Sequence, residues 1–205
     1  MLEVVHLRPS DARVVPWKNR RGVTRELALW PEGASFERGE FDWRLSSAPV
    51  NEAGPFSVFP GVERILIVTE GAGLVLAHGT HAPRARLRRL EPYTFSGDWP
   101  TTAELPDGPI ADFNVMCRAG RARANVTALT LRGRRTRETL APGHAFVHLL
   151  AGGCSARVTG EEEPYELAAQ QSLWLRGLRG GEELDLVGRK PPCELLIVGL
   201  GSNAD

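Results

Sequence analysis

The chain has 205 residues, and its 25 lysine and arginine residues balance 25 aspartate and glutamate residues, so the formal net charge is zero. A chain of this length is expected to bury about 70% of its unfolded surface, which is enough for a stable core without disulfides or structural metals. Zero net charge excludes a general nucleic-acid or anionic-membrane binder, because both need a basic surplus. No run of about 18 apolar residues occurs, so we expect no transmembrane helix.

Short apolar runs punctuated by glycine and proline predict an all-β protein. In the first half, strands are predicted at 23–30, 41–46, 63–68, 73–77 and 112–117. The turn Glu70-Gly71-Ala72 is expected to join two of these strands as a hairpin.

A faint internal repeat runs through the chain as strand, glycine turn, strand, polar hairpin, strand and glycine. In the second half, the predicted strands are 125–131, 145–150, 155–158, 171–175 and 195–200. One such unit cannot bury both faces, whereas two packed together can. We therefore predict two β-sandwich or barrel halves in one chain, residues 1–122 and 123–205.

Three predicted strands each have one polar face, because alternate residues of a strand point to the same side. The polar pairs are Thr24 with Glu26, Arg44 with Ser46, and Asp112 with Asn114. Two interpretations remain open: a solvent-facing surface, or the lining of a barrel interior. A buried guanidinium must be paired, and its planar fork suits a carboxylate.

Other site chemistries find little support in the sequence. The five histidines lack convergent carboxylates, so we expect neither a metal nor a cofactor. Ser57 is not in a nucleophile elbow. Cys117, Cys154 and Cys193 are odd in number and far apart, which predicts buried free thiols. The first fifteen residues do not resemble a signal peptide, so a cytoplasmic location is expected.

Six segments in order resemble the HutD/Ves family of small bicupin-like bacterial proteins. They are 17–27 (WKNRRGVTREL), 41–50 (FDWRLSSAPV), 54–64 (GPFSVFPGVER), 71–74 (GAGL), 95–98 (FSGD) and 108–116 (GPIADFNVM). The resemblance covers about residues 15–118. This chain departs from the family pattern at Arg20 and Arg21, where the family has glycine-rich residues after an asparagine, and we expect this to alter the pocket mouth.

The resemblance implies a cupin-type fold, with two β-barrels in one chain, that lacks the metal-binding histidine set of many cupins. It also implies a regulatory or buffering role in histidine utilisation, with a bound small carboxylate such as N-formylglutamate or urocanate. It favours the lined pocket over the solvent-facing surface, with Arg44, or Arg64 as second choice, meeting the ligand carboxylate. The ligand-binding residues expected on this basis are Asn19, Thr24, Glu26, Arg44, Ser46, Ser57, Arg64, Asp98, Asp112 and Asn114.

Two other functions are compatible with the sequence. One is a metal-free cupin isomerase or hydrolase in which Glu26 or Asp112 acts as a general base with a raised pKa. The other is an interaction protein anchored by exposed Trp30, Trp99 or Trp174. A homodimer through a sheet edge is also plausible, since open sheets leave edges to cover.

Overall fold

A computed structural model describes residues 1–17, 22–133 and 135–202 of the chain. These ranges contain a short 3-10 turn at Pro9–Asp11 and no α-helix, which confirms the all-β prediction. Consequently, none of the described residues belongs to a helix that could span a membrane. The strands are β1 (Glu3–Leu7), β2 (Arg13–Pro16), β3 (Val23–Trp30), β4 (Trp43–Val50), β5 (Gly54–Pro55), β6 (Val62–Glu70), β7 (Leu74–Ala77), β8 (Ala85–Leu87), β9 (Tyr93–Ser96), β10 (Thr102–Glu104), β11 (Ile110–Arg118), β12 (Ala122–Leu131), β13 (Arg135–Thr139), β14 (Gly143–Val158), β15 (Tyr165–Ala168), β16 (Ser172–Leu178) and β17 (Glu183–Ser202).

The chain divides into two compact units. Among the described residues, the first unit is Ala12–Ala122, and the second combines Met1–Asp11 with residues 123–202. The first eleven residues, predicted to belong to the first half, therefore lie in the second unit. The physical reason is strand pairing: β1 runs antiparallel to β16 from Glu3 opposite Arg176 to Leu7 opposite Ser172. This pairing covers an edge of β16 that would otherwise be open.

The first unit consists of two antiparallel sheets. The larger has the strand order β2-β3-β4-β11-β6-β9, and the smaller has the order β5-β10-β7-β8. Their inner faces share one apolar cluster, with Leu66 and Val68 from the larger sheet and Leu74, Leu76 and Ala103 from the smaller. Hydrophobic burial between the sheets holds the unit together, as in a β-sandwich or barrel.

The hairpin predicted at Glu70-Gly71-Ala72 is wrong. β6 and β7 belong to different sheets, so the turn carries the chain from one sheet to the other. Gly73 has a φ of 123°, and a Cβ there would lie 2.3 Å from the carbonyl oxygen of Leu87. The turn residues are glycines because the backbone conformation and the close approach both exclude a side chain.

The second unit is a single seven-stranded sheet with the path β1-β16-β14-β17-β12, with β13 added on β17 and β15 on β14. Its long strand β14 contributes residues from both its halves, such as Val147 and Ala156, to the same apolar cluster. The pairing of β14 with β17 shifts register between Leu149 and Cys154. These bulges bend the strand so that both halves face one core.

Candidate ligand-binding site

Six polar side chains lie buried on the inner face of the six-stranded sheet, and we call them the polar belt. They are Glu26, Arg44, Ser46, Arg64, Asp112 and Asn114. The strand register brings them together: Glu26 is opposite Ser46, and Ser46 is opposite Asn114. Each of the six side chains is at most 8% exposed. The sheet therefore gathers residues from four strands into one desolvated group.

The belt lies between two apolar clusters of the first unit. Along β11, Asp112 and Asn114 separate Ile110, in the cluster shared by the two sheets, from Met116, in a second cluster. Along β6, Arg64 likewise separates Leu66 from Val62. Charges between apolar layers are weakly screened, so each must be matched by a specific partner.

Arg44 and Glu26 form the first charged pair of the belt. The Nε of Arg44 donates a hydrogen bond of 2.7 Å to Oε2 of Glu26, and the guanidinium carbon lies 3.9 Å from the centre of the Phe36 ring. The exposed Arg13 reaches the other carboxylate oxygen, with Nη1 at 3.7 Å from Oε1. Burial lowers the pKa of Arg44, and the hydrogen bond and charge of Glu26 oppose that shift. Both oxygens of Glu26 thus face arginines.

Arg64 is the second buried guanidinium. Its Nη2 donates a hydrogen bond of 2.8 Å to Oδ1 of Asn114, and its Nη1 is 3.5 Å from the carbonyl oxygen of Ser57. The rings of Phe95, Phe56 and Phe59 surround it, with centres 4.9, 5.4 and 5.5 Å from the guanidinium carbon. Burial lowers the pKa of Arg64 to about 10, so the group stays charged at neutral pH.

Asp112 is the remaining carboxylate of the belt. Burial raises its pKa to about 6, while the charge of Arg64 and a hydrogen bond with Asn114 oppose the shift. Within the described residues, Oδ1 of Asp112 and Nε of Arg64 are both buried without a hydrogen-bond partner. Asp112 therefore exchanges its proton at a pH closer to neutral than an ordinary aspartate does.

Three other residues expected at the site are not buried with the belt. Thr24 is half-buried, and its hydroxyl accepts a hydrogen bond of 2.9 Å from Nε1 of Trp17. Ser57 is exposed and reaches Arg64 through its backbone carbonyl only. Asp98 is exposed and accepts hydrogen bonds from the backbone of Gly61 and the hydroxyl of Ser96. Asn19 lies outside the described residues.

Sequence reasoning missed the aromatic rings that cover the guanidinium groups. Phe56 and Phe59 lie in the segment 54–64 that carried the family resemblance, so their proximity to Ser57 was a usable signal. Phe36 comes from the connection between β3 and β4, where nothing in the sequence points to it. Arg13 was missed as well, because its contact with Glu26 depends on the pairing of β2 with β3.

Two surface depressions lie elsewhere. One of about 620 Å³ in the second unit includes Arg132, Gly188 and Cys193 in its lining. One of about 410 Å³ in the first unit includes Asp98 and Trp99. No belt residue lines either depression. In the described part of the chain, no three metal-ligating side chains of histidine, cysteine, aspartate or glutamate come together.

Similar proteins place the chain in a family. A family model described as HutD matches residues 9–190. Protein Ves of Citrobacter koseri is 39% identical over 120 residues, which is 57% of this chain and 60% of that protein. An uncharacterized 21.2 kDa protein in the hutC 3' region of Pseudomonas putida is 35% identical over 127 residues, 62% of this chain and 64% of that protein. The matches thus span less than two thirds of these relatives.

Solved structures agree over nearly the whole chain. A conserved protein of unknown function from Pseudomonas aeruginosa PAO1 has a TM-score of 0.87 at 34% identity, covering 98% of this chain and 100% of that one. HutD from Pseudomonas fluorescens SBW25 has a TM-score of 0.78 at 27% identity, covering 98% and 99%. The Escherichia coli protein Ylba, with a TM-score of 0.69 at 12% identity over 98% and 92%, shares the fold alone. The fold is cupin-type, and the chain belongs to the HutD family.

Proposed function

We propose that this protein is a metal-independent cupin that binds a small carboxylate at the polar belt. Its two units form a bicupin in which the first unit holds the ligand. The ligand is an intermediate of histidine degradation such as N-formylglutamate or urocanate, and binding serves a regulatory or buffering role in histidine utilisation.

The donors left on Arg44 support this proposal most directly. Within the described residues, Arg44 makes its hydrogen bond through Nε alone, so its two terminal nitrogens keep their donors for another acceptor. A carboxylate is the natural partner of such a pair of parallel N–H groups. Glu26 fixes the plane of the guanidinium from one side and Phe36 from its face, so the donors are already oriented.

Access to the belt requires the aromatic side chains to move. Phe36, Phe56 and Phe59 are half-buried and cover the two guanidinium groups. We propose that a ligand enters by displacing these rings, which lie outside the main strands, and is then enclosed by them. Water would thereby be excluded from the ion pairs that form.

Relatives support the link with histidine utilisation. The Pseudomonas putida relative is named for its place in the hutC 3' region, and the Pseudomonas fluorescens HutD structure comes from a formate condition. Formate is the smallest carboxylate, so it is a suitable first probe of the belt. We place the function in the cytoplasm, since Cys117, Cys154 and Cys193 are all free and buried, as a reducing compartment favours.

Calorimetric titration with urocanate, N-formylglutamate and formate tests the proposal. Wild type is expected to bind at least one of them, and Arg44→Ala should lose about 2–5 kcal/mol of binding free energy, or roughly 30- to 5000-fold in Kd. Arg13→Ala is the matched control, because it removes an exposed arginine from the same Glu26. Arg44→Lys, which keeps the charge, serves if Arg44→Ala fails to fold. Equal binding by wild type and both Arg44 variants would overturn the role of Arg44.

A metal-free isomerase or hydrolase is the second candidate, and Asp112 is the observation that favours it. A carboxylate with a pKa near 6 is poised to take up a proton close to neutral pH. Glu26 suits the role less, because both its oxygens meet arginines. Proton NMR of each pathway intermediate mixed with wild type or Asp112→Asn distinguishes the two candidates. Product formed by wild type alone favours the enzyme. If neither protein forms product, ligand binding without turnover is favoured.

The tryptophans proposed as surface anchors pack against neighbours. Trp174 is 5% exposed and stacks under the guanidinium of Arg176, while the rings of Trp99 and His81 stack at 6.0 Å. Trp30 stacks on Trp43. These contacts favour a small ligand over a macromolecular partner. A homodimer through a sheet edge stays a prediction, which size-exclusion chromatography with light scattering tests.

A further inference from the structure

Two complementary polar atoms of the belt have no partner among the described residues. Nε of Arg64 is a buried donor, and Oδ1 of Asp112 is a buried acceptor. Their residues are 4% and 3% exposed, so bulk water does not hydrogen-bond with these two atoms. Leaving such atoms unpaired costs free energy, more so for charged groups. Each atom is therefore a position where a bound molecule would be stabilised.

The two atoms belong to one local arrangement. Arg64 on β6 is opposite Met116, and Asp112 on β11 is opposite Val68, so Asn114 lies between them in the register. Asn114 accepts a hydrogen bond from Arg64 at Oδ1, and its amide is close enough to Asp112 to oppose the rise in the pKa of that carboxyl group. The charges of Arg64 and Asp112 attract each other across this residue. A group that joins them must accept a hydrogen bond from Arg64 and donate one to Asp112.

We infer that Asp112 is a specificity-determining residue, which selects carboxylates that carry an amide or hydroxyl donor over carboxylates that lack one. This inference rests on the proposed function. The ligand carboxylate meets the terminal nitrogens of Arg44, and its second polar group bridges Nε of Arg64 and Oδ1 of Asp112. An amide fits both atoms, because its carbonyl oxygen accepts and its N–H donates.

Charge and shape support the assignment. A purely apolar tail would leave both buried atoms unpaired, and a second carboxylate would place a like charge beside Asp112. A site that hydrogen-bonds a donor on its ligand binds an analogue without that donor much more weakly. The reason is that the buried polar group of the site is then left without a partner. A ligand with a donor therefore gains a hydrogen bond at Asp112 that an analogue without a donor does not gain.

Succinamate and levulinate form the matched pair of probes. The two have the same carboxylate, chain and carbonyl group, and differ only in an NH₂ in place of a CH₃. Calorimetric titrations at pH 8, where Asp112 is ionised, are expected to show wild type preferring succinamate by about 10- to 100-fold, as one hydrogen bond to a charged group allows. Asp112→Val should bind both equally while keeping the levulinate Kd within about threefold. Asp112→Asn, the isosteric variant, is expected to give an intermediate preference and serves if the valine variant unfolds.

Each outcome of these titrations either supports or overturns the inference. If wild type binds both probes with the same Kd, a bound water satisfies Asp112 and the specificity inference is overturned, while the proposed carboxylate site stands. If the preference for succinamate persists in Asp112→Val or remains undiminished in Asp112→Asn, a residue other than Asp112 binds the amide N–H. The inference is then also overturned. If wild type binds formate, urocanate or N-formylglutamate but neither probe, the specificity inference is overturned and the proposed carboxylate site stands. If wild type binds none of these five compounds, the proposed function itself fails, and the inference fails with it.

Discussion

Arg64 donates a hydrogen bond of 2.8 Å from Nη2 to Oδ1 of Asn114, fifty residues further along the chain. The two residues are diagonal neighbours on the adjacent strands β6 and β11. This contact orients the amide of Asn114 and anchors one end of a guanidinium that has apolar neighbours on most sides. It is therefore the contact on which the position of Arg64 depends most.

Replacing Asn114 by valine should weaken the protein. The variant removes an acceptor from a buried charged donor, which costs about 1.5–3 kcal/mol in the free energy of unfolding. Urea denaturation followed by tryptophan fluorescence measures it. Ser57→Ala is the control, since Arg64 contacts only the backbone carbonyl of that residue. Equal losses in the two variants would contradict this account of Arg64.

Breaking the pair of Glu26 and Arg44 should cost more. Glu26→Ala leaves the Arg44 charge buried without its partner, and such a loss typically costs about 3–5 kcal/mol. Arg13→Ala removes only an exposed contact to the same carboxylate and should change stability by less than about 1 kcal/mol. Thermal and urea unfolding of the two variants check this. A Glu26→Ala protein as stable as Arg13→Ala would show that the buried pair contributes no stability.

The pH dependence of stability should carry a signature of Asp112. Its pKa is raised in the folded state, so the folded protein holds this proton more tightly than the unfolded chain does. That contribution to stability is present below about pH 4 and is lost as pH rises to about 6. We therefore expect Asp112→Asn to gain about 2.5 kcal/mol relative to wild type between pH 4 and pH 7. Urea unfolding across this range measures the difference, and parallel curves for the two proteins would refute it.

His148 should show the opposite dependence. It is 2% exposed, its Nδ1 lies 2.8 Å from Oγ of Ser172, and burial lowers its pKa to about 4. The unfolded chain then takes up this proton at higher pH than the folded protein, so stability falls as pH drops from about 6.5 to 4. His148→Gln should reduce that fall by about 3 kcal/mol. The exposed histidine variant His6→Gln is the control, and an acid sensitivity equal in both variants would rule out His148 as its source.

Gly152 should tolerate no side chain. Its φ is 83°, and a Cβ would lie 2.2 Å from the carbonyl oxygens of both Lys190 and Pro192. Gly160→Ala is the matched control, because that glycine also has a positive φ of 92° but meets nothing within 4 Å. We expect Gly160→Ala to cost about 1–2 kcal/mol and Gly152→Ala to cost over about 4 kcal/mol or to abolish folding. Equal losses in chemical denaturation would mean that the bulge opens without penalty.

Much of the site could be read from strand alternation. The period of two grouped Glu26, Arg44, Ser46, Asp112 and Asn114 on single faces of their strands, and the structure brings these faces together with Arg64. Ser57 and Asp98 lie in segments that flank strands, where alternation does not predict which way a side chain points, and both residues are exposed. The pairing of β1 with β16 links residues more than 160 positions apart, which no local pattern reports.

The sequence by itself determined the all-β class and which residues share a face, because both follow from the local geometry of a strand. Tertiary structure alone decided that the polar face points inward, since a solvated face and a lined interior have the same period. It also decided the partners: Glu26 binds Arg44, and Asn114 binds Arg64. Register and sheet order set those contacts, and both are fixed only when the sheets pack and desolvate the charges.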